Sequence, residues 1–396
     1  MPTFEEARRI ILERVTRLEA ERVGLLDSLG RALITDVIAP WALPQFDNSA
    51  MDGFAVRAAD CADGSCLPVT GFIAAGGRAT QAVEEGTAVR IMTGAAMPEG
   101  GDSVVPLEDA EETEGAMRAV KPVTLHQHVR YAGEDVRAGE TVLRAGTVVR
   151  SYEINLLASF GMEQVEVVRR PRVAIVATGD ELMELGSAAE AGRIVNSNSY
   201  SLAAAVTAVG AVPVMVGIAR DNRESHREKL GEGLKADVLV TSAGVSVGDH
   251  DLVREVLGEL GVESVFWKVQ VRPGKSLAFG MKDGKPVFAL PGNPVSTMLT
   301  FEEFVAPALR VMMGEREAVR PVFTAVLRSE LKKKAGHAHL MRMRVEVREG
   351  KFEAWSAGKQ ATGFVKTLVE ANAVAVLPAE RERFEVGEEV QVHWLE

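Results

Sequence analysis

The sequence has few cysteines, few aromatic side chains and no long apolar runs. Cys61 and Cys66 are the 2 cysteines among 396 residues. A disulfide framework needs more cysteines, and a zinc site needs about four ligands with histidines or further cysteines nearby. We therefore expect both thiols to be incidental.

Membrane helices, secretion signals and a basic surface are also missing. No apolar run approaches the roughly 18 residues that a membrane helix needs. Residues 1–6 lack the basic start and apolar stretch of a secretion signal, so we expect a cytoplasmic protein without membrane contact. The formal net charge of −11 argues against nucleic acid as a partner, because phosphate neutralisation needs a basic face. An anionic small molecule would need a local cluster of cations.

The length predicts more than one hydrophobic core. Phe4, Ala7, Ile11, Val15 and Leu18 form the apolar stripe of a predicted helix, and a second helix is predicted over 25–33. Short β-branched segments between glycine-rich turns over 67–149 predict a small β domain, including a strand at 147–149.

The second half of the chain changes its pattern twice. Strands and helices alternate over 172–304, with a single strand predicted at 264–271 and a long helix at 295–313. Continuous apolar strands between helices are typical of a mostly parallel sheet covered on both faces. Strands return over 321–396, which predicts a small barrel or sandwich.

Three loops of the α/β region carry candidate ligand-binding residues. Ligands of open parallel sheets bind at the carboxyl ends of the strands. Glycine lets the backbone approach an oxyanion, and the start of the next helix favours negative charge. One such loop alone would indicate only a turn, but three at one edge favour a phosphorylated ligand. The candidates are Thr178, Gly179, Asp180, Ser242, Gly244, Ser246, Gly248, Asp249, Pro291, Gly292, Asn293, Pro294 and Ser296.

Charged residues near these loops suggest further chemistry. Lys268, Arg272 and Lys275 flank a Pro-Gly turn and can converge on a tetrahedral oxyanion; the alternative is a solvated turn. The carboxylates of Asp52, Asp180, Glu181, Asp221, Asp249 and Asp251 suit Mg²⁺, which takes one or two carboxylates plus substrate phosphates. Asp180, Asp221 and Asp249 can also be helix caps.

Other catalytic patterns are missing. His337 and His339 alternate along a predicted strand, and we expect them at the surface. We find no nucleophile elbow, Cys/His pair or P-loop, so covalent catalysis has no candidate.

Several motifs occur together over nearly the whole chain. They are Phe-Asp-Asn-Ser-Ala-Met-Asp-Gly at 46–53, Arg-Ile-Met-Thr-Gly-Ala at 90–95, Gly-Glu-Asp at 133–135, Thr-Gly-Asp-Glu-Leu at 178–182, the loop 242–251, Arg-Pro-Gly-Lys at 272–275 and Leu-Pro-Gly-Asn-Pro-Val-Ser at 290–296. In these motifs and in their order, the chain resembles the molybdopterin molybdenumtransferase family of MoeA and the gephyrin E domain. The block at 47–53 is highly specific, whereas related cofactor-biosynthesis domains share the α/β loops.

The resemblance implies a fold and its boundaries. It implies an elongated, multidomain protein of α/β plus β class, with a three-layer α/β domain of the molybdenum-cofactor-biosynthesis type. The expected parts are an N-terminal helical and linker region at 1–46 and 147–171, an inserted β domain at 47–146, the α/β domain at 172–316 and a C-terminal β-barrel-like domain at 317–396.

The resemblance also implies an activity. The family inserts molybdenum from molybdate into adenylylated molybdopterin, uses Mg²⁺, releases AMP and forms homodimers; the molybdopterin adenylyltransferase is an expected partner. Family site positions fall on Asp52, Thr93, Glu181, Asp221, Asp251, Lys268, Arg272 and Lys275, with Asp52, Glu181, Asp221 and Asp251 as metal ligands and Pro291 and Pro294 lining the site.

Some residues depart from the family pattern. Arg272 stands where lysine is common, Ala243 replaces a usual glycine, and Ser276 replaces a usual proline. Near the C-terminus, Lys366 and Thr367 stand in place of serines. The alternatives are a nucleotide-binding hydrolase or pterin adenylyltransferase, or a non-catalytic scaffold of the same fold. The choice between molybdate and tungstate stays open, because both are tetrahedral dianions of similar size.

Overall fold

The computed structural model describes residues 1–62, 64–77, 80–188, 190–244 and 252–395. The chain forms two compact units. The first comprises Met1–Thr35, Gly146–Ile154 and Glu163–Glu396, and the second comprises Asp36–Ala145 and Asn155–Met162.

A six-stranded sheet, here called the central sheet, forms the middle of the first unit. Its order from edge to edge is Val212–Ala219, Arg172–Thr178, Val238–Ser242, Lys285–Leu290, Ala278–Lys282 and Glu263–Phe266. The first four strands are parallel, and the last two pairings are antiparallel. Asp283 and Gly284 join the hairpin with positive φ angles of 50° and 77°, as a two-residue turn requires. The predicted mostly parallel sheet is confirmed.

Helices cover both faces of the central sheet, because its strands alternate between two apolar cores. Val173 and Ile175 face one core, and Ala174 and Val176 face the other. Three helices cover the first core: Phe4–Arg14, Ser197–Val209 and a long continuous helix. The long helix consists of Pro294–Thr300, a π-helical turn at Phe301–Val305, and Ala306–Met312. Two helices, Arg223–Gly233 and Leu252–Glu259, cover the second core. The three-layer arrangement is therefore confirmed.

A closed barrel follows in the C-terminal region. Its strands in ring order are Ala338–Arg348, Lys351–Ser356, Phe323–Leu327, Glu389–Trp394 and Ala373–Leu377, and the last pairs again with the first. Met341, Met343 and Val345 fill its interior. The short strand Val271–Arg272 adds to the barrel by parallel pairing with Ala338 and His339. The small pair Leu331–Lys332 and Arg383–Phe384 and the helix Lys366–Glu370 complete this region.

The second unit is built mainly from β-strands, as predicted. Its sheet has the order Ser103–Pro106, Gly53–Val56, Ala88–Ile91, Cys66–Ile73, Ala116–Ala119 and Ala110–Thr113. Two short antiparallel pairs lie beside it: Asn48–Ser49 with Val129–Arg130, and Val37–Ile38 with Thr141–Leu143. Cys61 is buried, Cys66 is exposed, and both are free thiols.

Three local predictions were wrong. Only Leu26–Ser28 is helical within 25–33, as a single 3-10 turn, because Ala32 and Leu33 instead form bridges to other strands. Residues 147–149 contribute only an isolated bridge. The predicted strand 264–271 ends at Phe266, because Val269 donates its N–H to the carbonyl of Lys275 and turns the chain.

The remaining elements are short. They are the pair Ala20–Gly24 with Gln164–Val168, the pair Leu182–Met183 with Ile194–Val195, the helix Ser151–Ser159 and the 3-10 turns Ala58–Asp60 and Leu107–Asp109. Within the described ranges, no helix combines the length and apolar character needed to cross a lipid bilayer.

Candidate functional site

The register of the central sheet brings the predicted loops to one edge. Ala177 pairs with Ser242, and Ser242 pairs with Leu290. The loops that follow these parallel strands therefore leave the sheet side by side. The strand Glu263–Phe266 points the same way, because two successive antiparallel pairings restore the direction. Lys268, two residues beyond it, follows the same edge.

A cavity of about 430 Å³ lies at this edge. The predicted residues that line it are Glu181, Ser242, Gly244, Pro291, Gly292, Asn293 and Pro294. Residues that sequence reasoning did not single out also line it, among them Ile194, Asn196 and Asn198, and so does Ser276, which stands where the family usually has proline. The structure thus brings together loops that lie more than 100 residues apart in the chain.

Asn198 connects the loops around the cavity. Its Nδ2 donates to Ser242 Oγ at 2.9 Å and to the carbonyl oxygen of Gly292 at 2.8 Å. Its Oδ1 is buried and has no hydrogen-bond partner among the described residues. A buried acceptor of this kind is costly unless a ligand donates to it. The Asn-Ser-Asn run at 196–198 was the only signal for this role in the sequence.

Two helices begin at the cavity. Asn196 caps the helix Ser197–Val209 by accepting from the N–H of Ser199 at 3.3 Å. Asn293 precedes Pro294–Thr300, but its side chain accepts no capping hydrogen bond from the described backbone. The first N–H groups of this helix are thus available, and helix N-termini favour anions.

The acidic loops at 179–182 and 220–221 hold each other in place. The N–H of Asp180 donates to Asp221 Oδ2, and the N–H of Asp221 donates to Asp180 Oδ1, both at 3.2 Å. Arg220 Nη1 donates to the carbonyl oxygen of Leu182 at 2.9 Å. Each of the two carboxylates therefore keeps one oxygen outside these hydrogen bonds.

Glu181 lies over a glycine. Gly179 has φ +137°, and a Cβ there would lie 2.2 Å from Glu181 Oε2. Only glycine therefore lets the Glu181 carboxylate take this position at the cavity wall.

These acids suit a magnesium site that is completed by substrate phosphates and water, rather than one built from protein ligands alone. No group of three or more potential metal-binding side chains occurs in the described part of the chain. Mg²⁺ commonly takes one or two carboxylates and completes its shell with substrate phosphates and water. Glu181 and the outward oxygen of Asp221 fit that limited donor set.

The segment 268–275, here called the basic turn, leads into the cavity wall, although Lys268, Arg272 and Lys275 are not among the described residues that line the cavity. Ser276, the next residue, lines the cavity wall. Gly274 has φ +114°, and a Cβ there would lie 2.4 Å from Thr300 Cγ2, so the turn packs closely on the helix Pro294–Thr300. Lys268, Arg272 and Lys275 form no ion pair with any described carboxylate. Cations without a counter-charge among the described residues, close to a cavity, favour an anionic ligand.

Arg342 is a further cation without a carboxylate partner among the described residues, and sequence reasoning missed it. Its side chain is fully buried at 0% exposure. Nη2 donates to the carbonyl oxygens of Lys359 and Ala361 at 2.9 and 3.3 Å, whereas Nε and Nη1 have no described partner. Burial lowers the pKa of the Arg342 guanidinium. Burying a charge without a counter-charge is costly, and Nε and Nη1 remain as donors for an anionic partner.

The second unit contains its own predicted pair, Asp52 and Thr93. Asp52 Oδ1 accepts from the backbone N–H of Thr93 at 2.7 Å and from its hydroxyl at 2.8 Å. These two hydrogen bonds lower the pKa of Asp52. The sequence predicted both residues separately, and the structure shows that they bind each other.

The other predicted residues differ in position. Thr178 and Ser296 are buried, with 2% and 4% exposure, so they lie behind the cavity wall. Ser246, Gly248, Asp249 and Asp251 lie outside the described residues. His337 and His339 were predicted at the surface, but both are half-buried and their Nε2 atoms are shielded from solvent.

The fold and the cavity define a class: a three-layer α/β domain with a cavity at its strand ends, combined with a β unit and a C-terminal barrel. Three family matches then cover most of the chain. Residues 2–161 match the MoeA N-terminal region (domain I and II), 174–311 a probable molybdopterin binding domain, and 324–395 the MoeA C-terminal region (domain IV). The chain belongs to the MoeA family.

Full-length relatives agree with this assignment. A molybdopterin molybdenumtransferase of Haemophilus influenzae is 34% identical, with 99% of this chain and 98% of the relative covered. Molybdopterin molybdenumtransferase 2 of Mycobacterium tuberculosis is 35% identical, with 99% of each chain covered. The crystal structure of a molybdopterin biosynthesis moeA protein from Pyrococcus horikoshii OT3 matches with TM-score 0.86 and 27% identity, covering 100% of each chain.

Proposed function

We propose that this protein is a molybdopterin molybdenumtransferase. It transfers molybdenum from molybdate to the dithiolene of adenylylated molybdopterin and releases AMP. The observation that carries the proposal is the cavity at the strand ends, where two helix N-termini and Asn198 meet beside the basic turn. The full-length relatives named above support the same reaction.

The cavity suits an amphipathic phosphate ester. The loops after the central strands offer backbone N–H groups and hydroxyls for the diphosphate. Ile194 and Val195 are 59% and 39% exposed at the rim. These apolar side chains provide a surface for the pterin ring.

The basic turn and Arg342 would bind the oxyanions. Arg272 offers a planar fork of donors, and Lys275 acts as a point charge. The two dithiolene thiols bind molybdenum and replace one oxo ligand of molybdate, which leaves as water with the two thiol protons. A second water then cleaves the phosphoanhydride and releases AMP. The protein positions these groups and stabilises the developing negative charge.

Mg²⁺ would be held by Glu181 and Asp221 together with substrate phosphates, where it would neutralise charge on the leaving AMP. The family resemblance also implies metal-ligand roles for Asp251 and Asp52. Asp52 is held as a carboxylate by Thr93. The family resemblance supports three further parts of the proposal: a homodimer, a cytoplasmic location, and receipt of the substrate from a molybdopterin adenylyltransferase.

The test is a defined reaction. Purified protein, adenylylated molybdopterin, Mg²⁺ and molybdate should yield AMP and metallated cofactor in equal amounts. Glu181→Gln and Arg342→Gln should each lower the rate roughly 10²- to 10³-fold, as loss of one charge-stabilising group does.

Arg344→Gln is the matched control for Arg342→Gln. Arg344 lies on the same strand but is exposed, 3.6 Å from Glu346, so its loss should leave the rate unchanged. Equal rates in Arg342→Gln and in wild type would remove Arg342 from the site. Absence of AMP with wild type, or formation of adenylylated pterin from ATP, would overturn the proposed reaction in favour of an adenylyltransferase.

A further inference from the structure

Arg220 is a cation among acidic residues, yet it forms no ion pair with them. It follows the edge strand Val212–Ala219 of the central sheet and directly precedes Asp221. Among the described residues, its guanidinium is not part of any ion pair. Its hydrogen bonds go to backbone carbonyl groups instead. These partners need a physical reason, because hydrogen bonds between two charged groups are stronger than those to a neutral carbonyl.

A single nitrogen atom of Arg220 holds most of the acidic loop 179–182. Nη1 donates to the carbonyl oxygens of Leu182 at 2.9 Å, Gly179 at 3.3 Å and Asp180 at 3.4 Å. The remaining carbonyl group of this loop, that of Glu181, accepts from the N–H of Ile194 at 2.9 Å. Every carbonyl group of the loop is therefore hydrogen-bonded, which fixes its backbone along the whole length.

Arg220 is itself anchored to the next helix. Its backbone N–H donates to Ser225 Oγ at 3.0 Å, and the N–H of Ser225 donates to Asn222 Oδ1 at 2.9 Å. Ser225 lies in the first turn of the helix Arg223–Gly233, which Asn222 caps. Arg220 thus connects the acidic loop to the fixed end of a helix.

This arrangement leaves the acidic side chains free for other partners. Asp180 and Asp221 each accept one backbone hydrogen bond through a single oxygen, and Glu181 lines the cavity. An ion pair with Arg220 would occupy one of these carboxylates. By binding carbonyl groups, Arg220 fixes the loop and leaves Glu181 and Asp221 available as ligands.

We propose that Arg220 is a positioning residue for the magnesium site, and that it holds the backbone of 179–182 so that the Glu181 carboxylate keeps its place at the cavity wall. Arg220 contacts neither the metal ion nor the substrate. This inference rests on the proposed function, because it assumes that Glu181 and Asp221 share Mg²⁺ with substrate phosphates. Residues that orient metal ligands contribute roughly 10- to 100-fold to metal affinity.

Charge and position predict opposite effects when Arg220 is neutralised. A cation near a metal ion repels it, so removal of the charge alone would strengthen metal binding. Loss of the contacts to 179–182 would release the loop and weaken metal binding. We expect the second effect to dominate, because water and salt screen the charge at these exposed loops, whereas the loss of hydrogen bonds from a charged donor is not screened in this way.

The experiment is a Mn²⁺ titration of the full-length protein in the presence of saturating AMP. Mn²⁺ accepts the same oxygen ligands as Mg²⁺, its free form is measured by electron paramagnetic resonance, and AMP supplies a phosphate group. Arg220→Gln should bind Mn²⁺ about tenfold more weakly than wild type. Arg220→Lys should restore most of the affinity, because all three contacts come from one nitrogen and a lysine ammonium offers three donors.

Arg223→Gln is the matched control. It removes a positive charge from the start of the next helix, where Arg223 is 60% exposed and is paired with Glu255 and Glu259 rather than with the acidic loop. Its Mn²⁺ affinity should equal or exceed that of wild type. Ser225→Ala removes only the acceptor for the N–H of Arg220 and should weaken Mn²⁺ binding by a smaller factor, so the test does not depend on the folding of Arg220→Gln.

Kinetics of AMP release provide a second readout. Arg220→Gln should raise the KM for Mg²⁺ about tenfold and leave kcat at saturating Mg²⁺ near the wild-type value. A general loss of stability would not produce this split. Rescue of the KM by Arg220→Lys is expected for the same reason as rescue of Mn²⁺ binding.

The outcomes separate this inference from the proposed function. Wild-type or tighter Mn²⁺ binding in Arg220→Gln, or an equal loss in Arg220→Lys and Arg220→Gln, would overturn the role of Arg220 and leave AMP release by wild type intact. Failure of wild type to bind Mn²⁺ despite normal AMP release would overturn it as well. Arg220-dependent Mn²⁺ binding without AMP release from adenylylated molybdopterin would instead refute the proposed reaction and support the positioning role.

Discussion

Three residues distant in the chain form a buried ion network in the first unit. Glu303, 3% exposed, lies on the π-helical turn and is paired with Arg8 of the first helix. His393 Nε2 lies 2.7 Å from Glu303 Oε1, and its Nδ1 lies 3.1 Å from the carbonyl oxygen of Trp394. Both ring nitrogens thus face acceptor oxygens, and only an imidazolium can donate to both.

The pH dependence of stability follows from this geometry. Burial alone would lower the pKa of His393, but hydrogen bonding and attraction to Glu303 outweigh it, with small contributions from Trp394 and Glu302, and the pKa is raised above 6.5. A group whose pKa rises on folding stabilises the protein fully below its unfolded pKa. That contribution is lost as the pH rises through the folded pKa. Stability from this network should therefore be complete below about pH 6.5 and decrease toward alkaline pH.

The perturbation is His393→Gln, which removes the charge and its hydrogen bond to Glu303. A buried hydrogen bond to a charged group contributes about 1.5–3 kcal/mol, so we expect a loss of about 2 kcal/mol at pH 6. The loss should shrink as the pH rises, because wild type loses its own imidazolium. Glu303→Ala should cost more, about 3–5 kcal/mol, because it leaves buried cations unpaired.

Thermal unfolding at pH 6, 7, 8 and 9 measures the effect, with hydrogen exchange of the strand Glu389–Trp394 as a local readout. Arg9→Gln is the control on the same helix as Arg8. Arg9 forms an exposed pair with Glu13, with 62% and 58% exposure, and such pairs contribute about 0.5 kcal/mol or less. A constant difference between His393→Gln and wild type from pH 6 to 9 would refute a charged His393.

Three more substitutions test local features. Thr93→Val should slow AMP release roughly 10- to 100-fold by releasing one of the two bonds on Asp52; Thr93→Ser should restore the rate, and a normal rate in the valine variant would argue against the pair. Ala243→Gly should raise stability by roughly 0.5–1 kcal/mol, because Ala243 has φ +75° and a left-handed conformation costs more for alanine than the extra chain entropy costs for glycine; a lower melting temperature would contradict this. Asn198→Ala should weaken binding of the pterin nucleotide roughly fivefold, since the ligand loses one hydrogen bond of about 1 kcal/mol to Oδ1; equal affinity in a binding titration would count against Asn198.

Much of the first unit could be predicted from patterns because its physical causes are local. The strand Arg172–Thr178 is a continuous apolar run, as a strand buried on both faces requires. Gly210 ends the helix Ser197–Val209 in a left-handed conformation with φ +98°, and the turn at Asp283 and Gly284 needs two residues that accept positive φ. Each of these signals is contained in fewer than about ten consecutive residues.

The missed features depend on long-range packing. Residues 25–33 have helical spacing, but tertiary bridges at Ala32 and Leu33 override it. Arg342 and His339 look like polar positions of an alternating strand, and only the assembled C-terminal region buries Arg342 and half-buries His339. Asn198 could not be distinguished from a helix cap until the loops at Ser242 and Gly292 were placed beside it.

The barrel closes on itself and yet accepts one outside strand, Val271–Arg272. The mechanical support of Arg272 is therefore encoded more than 60 residues downstream, in Ala338 and His339. In a chimaera whose C-terminal region came from a relative, a different strand would pair with Val271–Arg272 and position the Arg272 guanidinium, even though every loop of the cavity stayed native. Recombination points in this family should thus be chosen so that both strands come from the same parent protein.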